Sequence, residues 1–243
     1  MNGAESLLRT LVHSDVDVCF MNPGTSEMQF VAAADKEPGM RCVLGLFEGV
    51  VSGAADGYAR MAGKPAATLL HLGPGLANAL ANFHNALRAN TPIVNIVGDH
   101  ATYHKKYDAP LASDVAAYAL PVSGWIKEVE DAKDVPTITQ EAVKASLQPP
   151  GQVATLIVPA DCAWSESNEA ATSKIERPRA ALVDETAVES AAMGLRSGEP
   201  AVILLRGRAL SAEGLEWASR IANKTKVRVF CDTFTSRIER GAG

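Results

Sequence analysis

The chain has 243 residues, 47% of them hydrophobic, 21% charged and 5% aromatic, with five more acidic than basic side chains. This is the composition of a globular chain of one to two domains. The acidic balance argues against a phosphate-backbone partner, since nucleic-acid binders carry clustered basic faces. The longest apolar runs, such as 153–158, fall far short of the roughly 20 residues of a membrane-spanning helix. MNGAESLLRT has neither the basic nor the apolar stretch of an export signal. Cys19, Cys42, Cys162 and Cys231 are widely spaced and read as small buried hydrophobes of a reducing compartment. The five histidines form no HExxH motif. A cytoplasmic chain with no nucleic-acid or membrane partner and no metal site of its own is the expectation.

Strand-like and helix-like segments alternate, which predicts an α/β protein with a parallel sheet flanked by helices. Residues 4–13 read as a helix with Leu7, Leu8, Leu11 and Val12 on one face, and 16–21 as a strand. Asn22-Pro23-Gly24-Thr25 is a turn before a helix in which Ser26 and Gln29 have capping-box spacing. Strand 41–47, helix 48–61, strand 66–72, helix 76–89 and strand 92–97 follow. The polar stretch 98–123 holds one short helix near 113–119. Strand 124–129, helix 136–147 and strand 152–159 complete a first domain, 1–165. Residues 166–183 are polar, Pro-bearing and without hydrophobic period, and read as a linker. A partial second unit, 184–243, has helix 186–196, strand 201–206, helix 214–223 and strand 227–231. About 60 residues bury little surface for an independent Rossmann-like domain, so a truncated second domain is expected.

Three strand-to-helix junctions should share one crevice, because parallel sheets place ligands at the carboxyl ends of their strands. They are Asn22-Pro23-Gly24-Thr25, Phe47-Glu48-Gly49 and His71-Leu72-Gly73-Pro74-Gly75. Glu48 opens a helix rich in small residues that can pack close to the sheet; it reads either as a deep functional carboxyl or as a first-turn answer to the helix dipole. His71 ends an apolar strand and reads equally as structure or as a proton-handling group. Gly73-Pro74-Gly75 also suggests a dinucleotide loop, with Asp99 as its acid. Asn78 stands at the third glycine position, however, and Pro74 removes an N–H.

FMNPGTSE followed by LFEGVVSGAADGYARMAGKPAATLLHLGPGLANALANFHNA resembles the amino-terminal, pyrimidine-binding domain of thiamine-diphosphate enzymes of the acetolactate synthase and benzoylformate decarboxylase group. The likeness covers about residues 1–165, and 183–243 resemble the start of that group's middle domain. It implies that Glu48 hydrogen-bonds N1′ of the aminopyrimidine and so promotes loss of the thiazolium C2 proton. It further implies that Pro23, Gly24 and Thr25 lie near the thiazolium. His71 matches a histidine of the decarboxylase branch that handles protons. Gly73, Asn78 and Asn82 fall in the cofactor-binding region. Gly98-Asp99-His100 departs from the usual Gly-Gln, which bears on the substrate. The group's Gly-Asp-Gly motif for Mg²⁺ and diphosphate is absent, so those ligands belong to a domain outside this chain.

The reading is the amino-terminal part of a 2-oxoacid decarboxylase or acetolactate synthase-like enzyme. Decarboxylation is favoured by His71, the fragment alone should be inactive, and the whole enzyme should be a homodimer or homotetramer with its site between subunits. The alternative is a short non-catalytic homologue acting as an assembly or regulatory partner of a full-length synthase.

Overall fold

The computed structural model describes residues 1–173, 175, 176, 178, 181–233 and 235–239. The chain forms two units, Met1–Pro178 and Arg179–Gly243. The last four residues of the expected second unit, 240–243, lie outside the described residues.

The first unit alternates as the sequence pattern predicts: α1 (Gly3–His13), β1 (Val18–Asn22), α2 (Met28–Ala34), β2 (Arg41–Leu44), α3 (Glu48–Ala62), β3 (Ala66–His71), α4 (Leu72–Ala89), β4 (Ile93–Asp99), α5 (Val115–Ala119), β5 (Trp125–Glu128), α6 (Val135–Leu147), β6 (Val153–Pro159) and α7 (Ala160–Trp164). Its six strands are all parallel, in the order β2-β1-β3-β4-β6-β5.

Period-two alternation along the strands sends successive side chains to opposite faces. Ala67, Leu69, Val94, Ile96, Leu156 and their neighbours pack under α1, α2, α6 and α7. Ala66, Leu70, Ile93, Val97 and Ile157 pack under α3, α4 and α5. The central strands β3, β4 and β6 are covered on both faces, so they read as continuous apolar runs.

The second face also carries a polar ladder. Thr68 Oγ1 donates to Asn95 Oδ1 at 2.9 Å, Asn95 Nδ2 donates to Thr155 Oγ1 at 3.0 Å, and Ser123 Oγ lies 2.7 Å from Thr155 Oγ1. The three strand residues are register partners on adjacent strands. Each buried polar atom therefore finds its partner sideways, which is what burial demands of it.

Element ends differ from the sequence expectation where backbone geometry overrules composition. The strand expected over 41–47 stops at Leu44; Gly45 N–H still reaches Met21 O, and then the chain leaves the sheet. The helix expected from 76 begins at Leu72, directly off β3, with Gly73-Pro74-Gly75 inside its first turn. Pro is tolerated there because first-turn N–H groups have no intrahelical partner. No glycine turn precedes the helix, so the geometry a dinucleotide loop requires is missing.

Residues beyond β6 stay on the first unit. Ser167 Oγ donates to Ala132 O, Asn168 Nδ2 to Lys133 O, and the Ala171 N–H to Thr10 Oγ1. Gln140 Nε2 holds Ser173, and Ile175 packs against the α1 side of the core.

The second unit contains α8 (Glu185–Arg196), β7 (Val202–Leu205), α9 (Ala212–Thr225) and β8 (Arg228–Cys231). β7 and β8 pair in parallel. Its buried core is Leu205, Leu210 and Ala218, while Val202, Leu204, Met193 and Trp217 are exposed.

Candidate active site

The carboxyl ends of β1, β2, β3 and β4 run side by side, so the three expected junctions and the β4 exit open on the same edge. Glu48 is the first residue of α3, set between extended Phe47 and a helix whose next residue is glycine. Its side chain is buried, with the residue 9% exposed. Oε2 accepts from Asn78 Nδ2 at 3.0 Å, while Oε1 accepts no hydrogen bond from the described residues and would meet a Cβ on Gly75 at 3.3 Å. The carboxylate therefore sits at the positive end of α3, one oxygen held by α4 and the other uncommitted.

Asn82, one turn further along α4, donates to Gly49 O at 2.6 Å and approaches Ser52 Oγ at 3.4 Å. Ser52 Oγ itself donates to Glu48 O at 2.8 Å. Asn78 thus addresses the Glu48 side chain, and Asn82 addresses the backbone of the same helical turn. Gly73 is placed elsewhere: a Cβ there would lie 2.3 Å from Ser113, beneath the segment leading to α5. Gly75, rather than Gly73, is the glycine that adjoins Glu48.

His71 closes β3, opposite Gly98 in register, and its side chain is 23% exposed. The next residue, Leu72, is buried with φ +49°, a conformation a non-glycine residue adopts only under constraint. Nδ1 of His71 lies 2.8 Å from Oε2 of Glu27.

Glu27 is the residue that sequence reasoning missed. It ends the 3₁₀ turn Thr25–Glu27, is 3% exposed, and folds back so that Oε2 accepts the Gly24 N–H at 2.7 Å. The capping interaction is therefore Gly24 with Glu27, three residues on, and the expected Ser26/Gln29 box is corrected. The signal was present as an acid at the third position after the NPG turn. Burial pushes the Glu27 carboxyl above the usual carboxylate range, against the pull of His71 and the Gly24 N–H.

Two glycines make room for this pair. A Cβ at Gly24 would stand 2.3 Å from the His71 ring, and one at Gly98 would stand 1.7 Å from Glu27 Oε1. Pro23 and Gly24 are partly buried beside the pair, and Thr25 is exposed at the edge.

Asp99 ends β4 with both oxygens engaged. Oδ1 accepts the His100 N–H at 2.7 Å and Oδ2 pairs with Lys105 Nζ at 2.6 Å. Lys105 also pairs with Glu128. Burial draws the Lys105 ammonium down, but its bonds to Asp99 and Glu128 outweigh that and hold it above the usual lysine range. The Asp99 side chain is thus turned into an internal ion pair.

Beside Glu48 the surface is apolar: Leu46 is 91% exposed, and Leu44, Phe47 and Val50 are exposed as well. Among the described residues no group of three or more His, Cys, Asp or Glu side chains is placed to hold a metal ion. No described helix is long and apolar enough to cross a membrane.

A family model described as thiamine pyrophosphate enzyme, N-terminal TPP binding domain, matches residues 1–130. The chain is 57% identical, over its whole length and 46% of the relative, to a Mycobacterium tuberculosis protein named "Putative acetolactate synthase large subunit IlvX". It is 32% identical to a Pseudomonas aeruginosa benzoylformate decarboxylase, over 74% of this chain and 33% of that enzyme. The solved Rhodococcus jostii thiamine diphosphate-dependent 4-hydroxybenzoylformate decarboxylase superposes with a TM-score of 0.86 at 25% identity, covering 95% of this chain and 44% of its own. The chain spans less than half the length of these relatives. With residues 1–130 matching the amino-terminal TPP-binding domain, the chain belongs to the thiamine pyrophosphate enzymes.

Proposed function

We propose that this chain supplies the pyrimidine-binding half of a thiamine-diphosphate site in a 2-oxoacid enzyme. The observation that carries the reading is Glu48: a buried carboxyl at a helix N-terminus, fixed through one oxygen by Asn78, with the other oxygen uncommitted. That donor set fits the protonated ring nitrogen of an aminopyrimidine, which needs a single acidic partner at a fixed angle. The cofactor, when bound, supplies the nucleophilic carbon and the electron sink. Glu48 Oε1 would hold the proton at N1′, Asn78 keeps that carboxyl from rotating away, and Asn82 fixes the helical turn that carries it. His71 would exchange protons with the reacting substrate through Nε2, since Nδ1 faces Glu27. This favours decarboxylation of a 2-oxoacid over acetolactate-type ligation.

The group's Gly-Asp-Gly motif does not occur in this sequence, so in this reading diphosphate and metal would be held by protein outside this chain. The apolar strip Leu44, Leu46, Phe47 and Val50 beside Glu48 supports an active site closed by a second subunit, in a homodimer or larger homo-oligomer of a cytoplasmic enzyme. The same strip would serve a short non-catalytic homologue that partners a full-length synthase.

Two measurements test the reading. The 243-residue chain with thiamine diphosphate, Mg²⁺ and pyruvate or benzoylformate should show no turnover; turnover by the chain alone overturns the half-site assignment. In the assembled enzyme, Glu48→Gln should slow hydrogen–deuterium exchange at the thiazolium C2 by about 10²-fold or more. An unchanged exchange rate removes Glu48 from the chemistry.

A further inference from the structure

Burying a carboxyl is tolerable when its charge is compensated or absent. Glu27 is compensated on one side only. Oε2 faces the Gly24 N–H and His71 Nδ1, whereas Oε1 is buried with no hydrogen-bond partner among the described residues. The side chain lines a cavity of about 20 Å³ walled by Leu7, Phe30, Leu69, Ile96 and Val158. An ionised carboxylate leaves half its charge against this apolar wall. A neutral carboxyl whose O–H lies on Oε2, directed at Nδ1, leaves only a carbonyl oxygen there, and under-satisfied carbonyl oxygens are the less costly kind of buried orphan. Apart from His71, which meets Oε2, the side chains that α1, α2, β3, β4, β6 and α7 contribute to this cavity are apolar. Among the described residues, His71 is the one titratable group that acts on it.

We propose that Glu27 and His71 share one transferable proton across the Nδ1···Oε2 contact, Glu27 storing it as a positioning residue and His71 Nε2 delivering it to the crevice. In the loaded pair Nε2 carries its hydrogen and the shared proton sits on Oε2 or on Nδ1. Delivery breaks the Nε2–H bond and leaves its electron pair on the ring. The shared proton then settles on Nδ1, Glu27 becomes a carboxylate, and the charge of the pair falls by one. Reloading takes a proton from solvent water at Nε2. The bare Oε1 makes the unloaded state unfavourable, so the pair reloads readily. Gly98 is part of the device, because any side chain there would displace Oε1. The delivery step rests on the functional reading above; the shared proton does not.

The test uses the 243-residue chain without cofactor, labelled with ¹³Cδ-glutamate and ¹⁵N-histidine and followed by NMR from about pH 4 to 9. The Glu27 carboxyl carbon should titrate above the ordinary glutamate midpoint of about 4.3. It should also move in the same steps as the His71 ring nitrogens, as coupled groups do. His71→Asn, which removes the cationic pull, should raise the Glu27 midpoint further while the remaining glutamate signals stay in place. A Glu27 carbon that titrates in the ordinary range, or whose midpoint is unmoved by His71→Asn, overturns the proposal. Coupled titration together with an inert assembled enzyme would sink the functional reading and leave the pair standing. Independent titration in an enzyme that turns over 2-oxoacids would do the reverse.

Discussion

Gly98 offers a sharp test of how the site is packed. Its φ lies outside the left-handed region, so nothing in the backbone requires glycine there. A Cβ would instead strike Glu27, at 1.7 Å from Oε1, 2.6 Å from Cδ and 2.8 Å from Cγ. The three nearest atoms all belong to that one side chain. Gly98→Ala must therefore push the Glu27 carboxyl off both the Gly24 N–H and His71 Nδ1. Overpacking of this kind costs about 1–3 kcal/mol. In a Glu27→Ala background the obstructing atoms are gone, and Ala for Gly within a strand should be favourable by about 0.5–1 kcal/mol. The coupling between the two sites should then be about 1.5–4 kcal/mol, in the upper part of what contacting residues show or beyond it. The assay is urea unfolding followed by tryptophan fluorescence in a Trp217→Phe background, so that Trp125 and Trp164 report on the first unit alone. If Gly98→Ala costs the same with and without the Glu27 side chain, the glycine is not there for Glu27 and the packing account of the pair is wrong.

Asn95→Ala should destabilise the first unit by about 2–4 kcal/mol, since it removes two buried hydrogen bonds and strands the Thr68 hydroxyl; a loss under about 1 kcal/mol in the same unfolding assay would refute the ladder. Glu27 binds its proton more tightly folded than unfolded, so its contribution is fully present below the unfolded value of about 4.3 and is lost as pH rises through the folded value. Glu27→Gln should therefore gain stability relative to the parent as pH rises from about 4 toward 7, and a pH-independent difference in urea midpoint would count against a raised carboxyl. Burial lifts the Cys162 thiol to about 12, with nearby Asp161 adding to it, and burial also raises Cys19 and Cys42. Iodoacetamide at about pH 8 should thus label exposed Cys231 first, and early modification of Cys162 in a peptide map would contradict the placement of α7.

What the sequence disclosed and what it withheld divide along a physical line. Alternation of apolar runs exposed the parallel sheet, because β3, β4 and β6 are buried on both faces and must be apolar throughout. Glu48 stood out because an acid that ends an apolar strand and opens a glycine-rich helix is brought close to the sheet by the small residues behind it. Asn78 was singled out as a site residue only through the family resemblance, and its bond to the Glu48 carboxyl emerges only when α3 and α4 pack together. Glu27 was missed for a different reason. Its position three residues after Gly24 is ordinary capping chemistry, and its burial follows only from β1, β3 and β4 lying side by side, an order no local pattern encodes. The Asn95 ladder was hidden likewise: Thr68, Asn95, Thr155 and Ser123 are far apart in sequence and meet only once the strand register is set.

The two edges of the sheet show where this fold accepts cost. At the amino ends of the strands, Lys64 pairs with Asp15 and Asp17 in partly solvated ion pairs, which contribute little and constrain little. At the carboxyl ends, three acids are buried: Glu27 against His71, Glu48 against Asn78, and Asp99 against Lys105. The strained Leu72 and the two close glycine contacts sit on that same edge. A sheet that needed only stability would place apolar side chains there, since replacing buried ionic pairs by packed hydrophobes is often neutral or stabilising. Concentrating desolvated acids and backbone strain on one edge makes sense if that edge has chemistry to perform. Each acid is also restrained differently. Glu48 keeps an uncommitted oxygen, Glu27 is sealed behind a histidine, and Asp99 is wholly neutralised by a lysine. The uncommitted oxygen of Glu48 and the histidine partner of Glu27 lie at the β1–β3 part of this edge, whereas at the β4 exit both Asp99 oxygens are engaged.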